Sequence, residues 1–200
     1  LPDQSVHCVV TSPPYCGLRD YELPPQIWEG DKACSHEWGP WQEHHLVAGN
    51  HQKYRAGAFC SSCGAWRGAL GLEPTVDLYV GHLVEVFAQV WRVLRNDGTL
   101  WLNMGDAYAG SGKWRGDQHP GSVQATNKGG LALTPTPKFP GLKPKDLIWL
   151  PWALAFALRD AGWWLRSEII WSKSNPMPES VEDRPPRAHE YLFLLTKRSR

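Results

Sequence analysis

Hydrophobic positions in this chain fall into six short segments, and the stretches between them carry almost no apolar pattern. Residues 6–11, Val-His-Cys-Val-Val-Thr, form an apolar run of strand length and predict a buried strand. In residues 76–94, Leu83, Val84, Phe87, Val90, Trp91 and Leu94 recur at helical spacing and predict an amphipathic helix. Asn96-Asp97-Gly98 is a turn signal, followed by a second buried strand over 99–104. Residues 146–161 predict a second helix, with Pro151 near its first turn and Gly162 as its stop. Two more strands are predicted over 163–172 and 190–197, separated by the proline-rich 175–186, and they suit an antiparallel pair at a sheet edge. The order strand, helix, strand, helix, strand, strand predicts an α/β fold.

The unpatterned stretches differ from one another. Residues 16–75 are rich in Gly, Pro, Trp and His, hold most of the cysteines, and read as irregular. Residues 107–145 form a long Gly/Pro/Ser/Lys stretch, which predicts a flexible loop of the kind used for binding or as a lid. Two hundred residues are enough for one domain with a real core plus a small insert.

Net charge is +1, so no global basic field announces a nucleic acid. The local distribution is less even. Residues 113–145 contain six basic residues against Asp117 alone, and 184–200 contain five against Glu190 alone. Two basic segments point to a one-sided contact surface, with ordinary solvated loop charge as the alternative. Twelve tryptophans exceed what a core of this size needs and leave some for stacking surfaces. No apolar run of about 18 residues exists to span a membrane. Leu1-Pro2-Asp3 does not read as a signal peptide, and without an initiator Met the chain reads as a fragment or a processed product.

Five cysteines outside a secreted context argue for metal or free thiols rather than a disulfide framework. Cys34-Ser35-His36 lies upstream of Cys60-Ser61-Ser62-Cys63-Gly64. The C-x-x-C pair is spaced for two thiolates on one zinc, and the C-x-H pair completes a tetrahedral Cys₃His set within an insert over 30–68. That insert has few aliphatic residues, so a metal would supply its folding energy. Four protein ligands make the role structural. His44, His45 and His51 compete with His36, and a redox C-x-x-C remains the alternative. Cys8 and Cys16 read as buried small residues. Gly110-Ser111-Gly112-Lys113 is not a phosphate loop: Ala107 holds the place of the first glycine and Trp114 that of the Ser/Thr.

The densest chemistry follows the first strand. In Ser12-Pro13-Pro14-Tyr15, two prolines end the strand as a stiff arm that offers a hydroxyl, a carbonyl and an aromatic face. Ligands on open α/β sheets bind outside the carboxyl ends of strands. Such a turn suits a flat ligand with amine hydrogens, for example a nucleobase.

This tetrapeptide resembles the catalytic motif of AdoMet-dependent DNA amino-methyltransferases, which methylate N4 of cytosine or N6 of adenine. Leu1-Pro2-Asp3-Gln4-Ser5-Val6 resembles the lead-in to that strand. The run from Val93 through Asn96-Asp97-Gly98 to Asn103, the Glu168 to Pro176 block and His189-Glu190-Tyr191 resemble later blocks of the family. The resemblance implies a Rossmann-like sheet, bacterial or phage and cytoplasmic context, double-stranded DNA as partner, and a restriction-modification setting. It also implies that Ser12 and the Pro13 carbonyl accept hydrogen bonds from the base amine, that Pro14 stiffens the turn, and that Tyr15 stacks on the flipped base. Ser at the first position leans toward cytosine N4. Asp106 is a candidate cofactor contact or helix cap. Lys113, Arg115, Lys128, Lys173 and Arg184 are candidate DNA contacts, and His189-Glu190 reads as an anchor for the last strand.

The family's Asp-Pro-Phe strand end and Gly-rich AdoMet turn are not found in this sequence. In the permutation that places the catalytic motif first, they follow the target-recognition region. The expectation is a catalytic half that works with the missing cofactor-binding half or a second copy. The alternatives are a non-catalytic zinc-containing DNA-binding fragment and an RNA or protein methyltransferase.

Overall fold

The computed structural model describes residues 1–17, 21–45, 53–109, 142–143, 145–176 and 183–199. The chain divides into two compact units. The first comprises Leu1–Tyr15, Val76–Ala107 and Trp149–Arg200; the second comprises Cys16–Thr75 and Tyr108–Ile148.

The first unit is built on a mixed sheet of β1 (Val6–Thr11), β6 (Leu94–Met104), β8 (His189–Thr196) and β7 (Trp164–Ser172), in the order β1-β6-β8-β7. β1 runs parallel to β6, which requires a crossover, and α1 (Val76–Val93) leads directly into β6. β8 is antiparallel to both β6 and β7, so the last two strands form the expected edge pair. Strict alternation buries Leu100, Leu102 and Met104 on β6 and Phe193 and Leu195 on β8. α1 buries Tyr79, His82, Leu83 and Phe87, one helical stripe, and α2 (Leu150–Asp160) buries Leu150, Pro151, Leu154, Ala155 and Leu158. Trp152 of α2 meets Phe193 edge-on at 5.3 Å. The opposite register positions leave Val10, Ile169 and Trp171 exposed.

Three local expectations differ from the structure. β1 reads as buried, but among the described strands it pairs with β6 alone, and Val10 is 75% exposed and Cys8 exposed as well. Asn96-Asp97-Gly98 lies within β6 as a bulge rather than a separate turn. Val6 pairs with Leu94 and Cys8 with Thr99, so the extra residues of β6 bow outward. Arg95 and Asp97 clasp each other across that bow at 2.9 Å. The second helix begins at Leu150 rather than Asp146, because its cap comes from elsewhere: Asp106 Oδ1 accepts the Leu150 N–H at 3.1 Å. Asp146 instead folds back on Lys143, accepting its N–H at 3.0 Å.

The second unit holds an antiparallel sheet of β2 (Gln26–Trp28), β5 (Trp66–Gly68), β4 (Lys53–Phe59) and β3 (Gln42–His45), in that order. Irregularity was the expectation here. The strands are short and lack alternation, so periodicity could not reveal them. Trp66 is fully buried against Gly57, where a Cβ would stand 2.6 Å from the indole Cε2. Arg67 packs its guanidinium on Trp38 at 4.6 Å and on Trp41 at 4.9 Å.

Candidate active site and metal centre

The Ser12–Tyr15 turn leaves the carboxyl end of β1, and β6 ends beside it at Met104. Two prolines fix the backbone, and the Tyr79 hydroxyl of α1 donates to the Pro14 carbonyl at 2.7 Å. The Tyr15 ring lies against Gly105, where a Cβ would come within 2.7 Å of its Cε2. Only glycine permits this seat without displacing the ring.

Tyr15 is the hub of a polar network. Its hydroxyl donates to Glu190 Oε2 at 3.0 Å and accepts from Asn103 Nδ2 at 3.0 Å. Ser12 Oγ donates to the same hydroxyl at 3.3 Å. Asn103 Nδ2 also donates to Glu190 Oε2 at 2.8 Å, and Lys173 forms an ion pair with Glu190 Oε1. Burial opposes the charge on Glu190, but hydrogen bonds from Lys173, Asn103 and Tyr15 hold its carboxyl below the usual range. Burial and the nearby Glu190 charge push the Tyr15 phenol up, although the Ser12 bond works against this. Glu190 is therefore anionic and Tyr15 protonated at neutral pH.

Of the predicted site residues, Ser12, Pro13, Pro14 and Tyr15 form the turn that follows β1. Lys173, a candidate DNA contact, pairs with Glu190 and keeps part of its side chain exposed. Arg184 donates to the carbonyl of Pro185 at 3.1 Å. Lys113, Arg115, Lys128 and most of the 107–145 loop lie outside the described residues. The Asp106 side chain is fully buried; its Oδ1 accepts from the Ala107 N–H at 2.9 Å and from the Leu150 N–H, and its Oδ2 from Arg187 Nη1 at 3.0 Å. Both oxygens being engaged this way favours the helix-cap alternative.

Tyr79, Asn103 and Gly105 carried no motif of their own. The one available signal was Asn103, a polar residue on an otherwise apolar strand. Glu190, expected as an anchor for the last strand, accepts from the Tyr15 hydroxyl. Trp149 was also missed. It precedes α2 with φ 63° and lines an open apolar groove with Trp152, Ala153, Phe156 and Tyr191. A bulky residue in the left-handed region marks local strain.

In the second unit, Cys34, His36, Cys60 and Cys63 bring their ligand atoms within 4.8 Å of one another. Cys34 Sγ and Cys60 Sγ are 3.9 Å apart, and Cys63 Sγ is 3.4 Å from His36 Nδ1. Tetrahedral bonds of about 2.3 Å to sulfur and 2.0–2.1 Å to nitrogen place such atoms roughly 3.5–3.8 Å apart. The spacing therefore fits one ion and not a disulfide. The His36 N–H donates to Cys34 Sγ at 3.3 Å, and Gly64, at φ 76°, turns the chain after Cys63. Burial raises the Cys60 thiol, but bonds from His36 and the N–H groups of Cys63 and Ser62 outweigh it and bring it down to about 6. His51 and the side chains of His44 and His45 lie outside the described residues. Cys16 is buried, and burial with the Glu73 charge pushes its thiol up to about 12.

Comparison with known proteins identifies relatives and a family. The chain is 44% identical over 198 residues to the type II methyltransferase M.XycI of Xanthomonas campestris pv. cyanopsidis, covering 98% of this chain and 50% of that protein. It is 42% identical over 199 residues to the type II methyltransferase M.Cfr9I of Citrobacter freundii, covering 98% of this chain and 50% of that protein. Identity to the type II methyltransferase M.SfiI of Streptomyces fimbriatus is 34% over 200 residues, covering all of this chain and 33% of that protein. The chain thus spans about half the length of these two curated relatives. The profile of the N6/N4 DNA methylases matches residues 6–200, nearly the whole chain, and this chain belongs to that family of DNA amino-methyltransferases.

Proposed function

We propose that the whole protein transfers a methyl group from AdoMet to the exocyclic amine of a base flipped out of double-stranded DNA, cytosine N4 before adenine N6. The observation that carries this reading is the Ser12–Tyr15 turn at the carboxyl end of β1, held rigid by Tyr79 and Gly105. A base amine is a poor nucleophile because its lone pair is delocalised into the ring. Hydrogen bonds from the amine to Ser12 Oγ and the Pro13 carbonyl localise that pair, and a stiff turn has these acceptors in place beforehand. Flipping the base costs a few kcal/mol, and stacking on Tyr15 returns about 1–3 kcal/mol. The parallel β1–β6 pair joined through α1 supports a Rossmann-like sheet for the whole protein. Lys113, Arg115, Lys128 and Arg184 are proposed phosphate contacts, and a restriction-modification setting follows from the type II relatives.

AdoMet, when bound, supplies the electrophilic methyl group. Asp106, the candidate cofactor contact, has its oxygens on the Ala107 and Leu150 N–H groups and on Arg187. The second reading, favoured by that arrangement, is that this half by itself is a zinc-containing DNA-binding unit that gains activity with the cofactor-binding half. We also propose that Cys34, His36, Cys60 and Cys63 hold a structural zinc ion; a closed four-ligand set leaves no open position for catalysis.

Three measurements test these readings. In the full protein, Ser12→Ala is expected to lower methylation at least about 100-fold with melting unchanged. Nucleoside mass spectrometry of the wild-type product is expected to show N4-methylcytosine. Wild-type turnover in Ser12→Ala removes the catalytic assignment, and N6-methyladenine reverses the base preference. Calorimetric titration of this chain with AdoMet separates the two readings of the half: submillimolar binding excludes the second.

A further inference from the structure

We propose that Glu190, Asn103 and Lys173 are positioning residues that act through Tyr15 to hold the Ser12 hydroxyl as a pure acceptor, so that the turn selects a base amine over a base carbonyl. The inference rests on the reading of Ser12 as the group facing the base.

The argument follows the protons. Lys173 can only donate, and it meets Glu190 Oε1. Glu190, anionic, can only accept. The single proton of Tyr15 therefore goes to Glu190 Oε2, 3.0 Å away. The Asn103 amide, bonded by Nδ2 to both Glu190 Oε2 and the Tyr15 oxygen, closes the triangle and removes any other direction for that proton. The Tyr15 oxygen then presents only a lone pair to Ser12 Oγ at 3.3 Å, and Ser12 must supply the proton. With its proton so directed, Ser12 offers only lone pairs to whatever faces it. An unrestrained serine rotates its hydroxyl to suit a donor or an acceptor, and so cannot discriminate between them. A carbonyl base placed against the held Ser12 sets lone pair against lone pair, and this is how a polar site rejects an isostere. The low carboxyl of Glu190 and the high phenol of Tyr15 keep these proton positions through the neutral range.

The test compares the full protein with its Tyr15→Phe, Glu190→Ala, Glu190→Gln and Ser12→Ala variants. Binding is measured to duplexes bearing the target base and to the same duplexes with its amine replaced by a carbonyl, uracil for cytosine or hypoxanthine for adenine. Each base is set opposite an abasic site, so that pairing strength is equal. The wild type is expected to prefer the amine at least about 10-fold. Tyr15→Phe and Glu190→Ala are each expected to lower that ratio about 10-fold, and kcat about 10- to 100-fold, with KM for DNA within about 3-fold. Their combination is expected to be no worse than either alone, because both cut the same chain. Glu190→Gln, whose amide oxygen still accepts, is expected to keep more of the preference. An unchanged ratio in Tyr15→Phe, or losses that multiply in the double variant, overturns the proposal. If Glu190→Ala fails to fold, Tyr15→Phe and Glu190→Gln decide. Inactive Ser12→Ala beside a fully discriminating Tyr15→Phe removes only the positioning network; active Ser12→Ala removes the reading beneath it.

Discussion

At the residue scale, the site depends on small fits around Tyr15. Gly105→Ala adds a methyl group 2.7 Å from the ring, too close for any real contact. The ring must move, and kcat is expected to fall about 10-fold or more while the fold persists, as checked by steady-state kinetics beside circular dichroism. Tyr79→Phe removes the bond to the Pro14 carbonyl and is expected to cost about 1 kcal/mol in denaturant unfolding. The Glu190 carboxyl lies below its ordinary range, so its stabilising contribution is complete above the unfolded value of about 4.3 and is lost as pH falls through the lowered folded value. The Tyr15 phenol lies above about 10. A kcat profile is therefore expected to show no inflection from this network between about pH 5 and 9. The tetrapeptide was legible because its chemistry is local. Its partners were not, since Asn103 and Glu190 lie 88 and 175 residues from Tyr15 along the chain.

At the element scale, α2 shows why boundaries resist sequence reading. Its apolar stripe and its Pro151 and Gly162 signals were visible, and Gly162, at φ 105°, does end it. Its start depends on Asp106, 44 residues upstream, which also pairs with Arg187 in a nearly dry setting. Asp106→Ala is expected to cost about 3–5 kcal/mol, because it strands Arg187 and uncaps the helix together; chemical denaturation checks this. The bulge in β6 teaches the same lesson from the other side. Asn96-Asp97-Gly98 has turn chemistry, but pairing on both sides draws it into a strand. β2 to β5 were hidden for a third reason: short strands built on Trp, Gly and Arg do not alternate.

At the scale of the molecule, two units of different construction share the chain. The first rests on a conventional apolar core. Among its described residues the second buries few aliphatic side chains, and it holds the Cys/His cluster. One zinc per chain is expected by elemental analysis, and Cys60→Ser is expected to lose it together with the far-ultraviolet signal of the small sheet. Retention of that signal in metal-free protein would show that the sheet needs no ion. The cluster lies within the predicted insert over 30–68, and the compact unit that holds it comprises Cys16–Thr75 and Tyr108–Ile148.

The α/β order, the proline turn after the first strand, the four metal-ligand candidates and the family resemblance could be read from the chain alone. All of these are carried by residue types at short spacings, where local chemistry and periodicity act. Tertiary structure alone decided that Lys173 serves Glu190, that Asp106 caps α2, and that the proton of Ser12 points toward Tyr15. A carboxylate's duty and a hydroxyl's direction depend on which groups face them in space, and those groups come from strands and helices far apart along the chain.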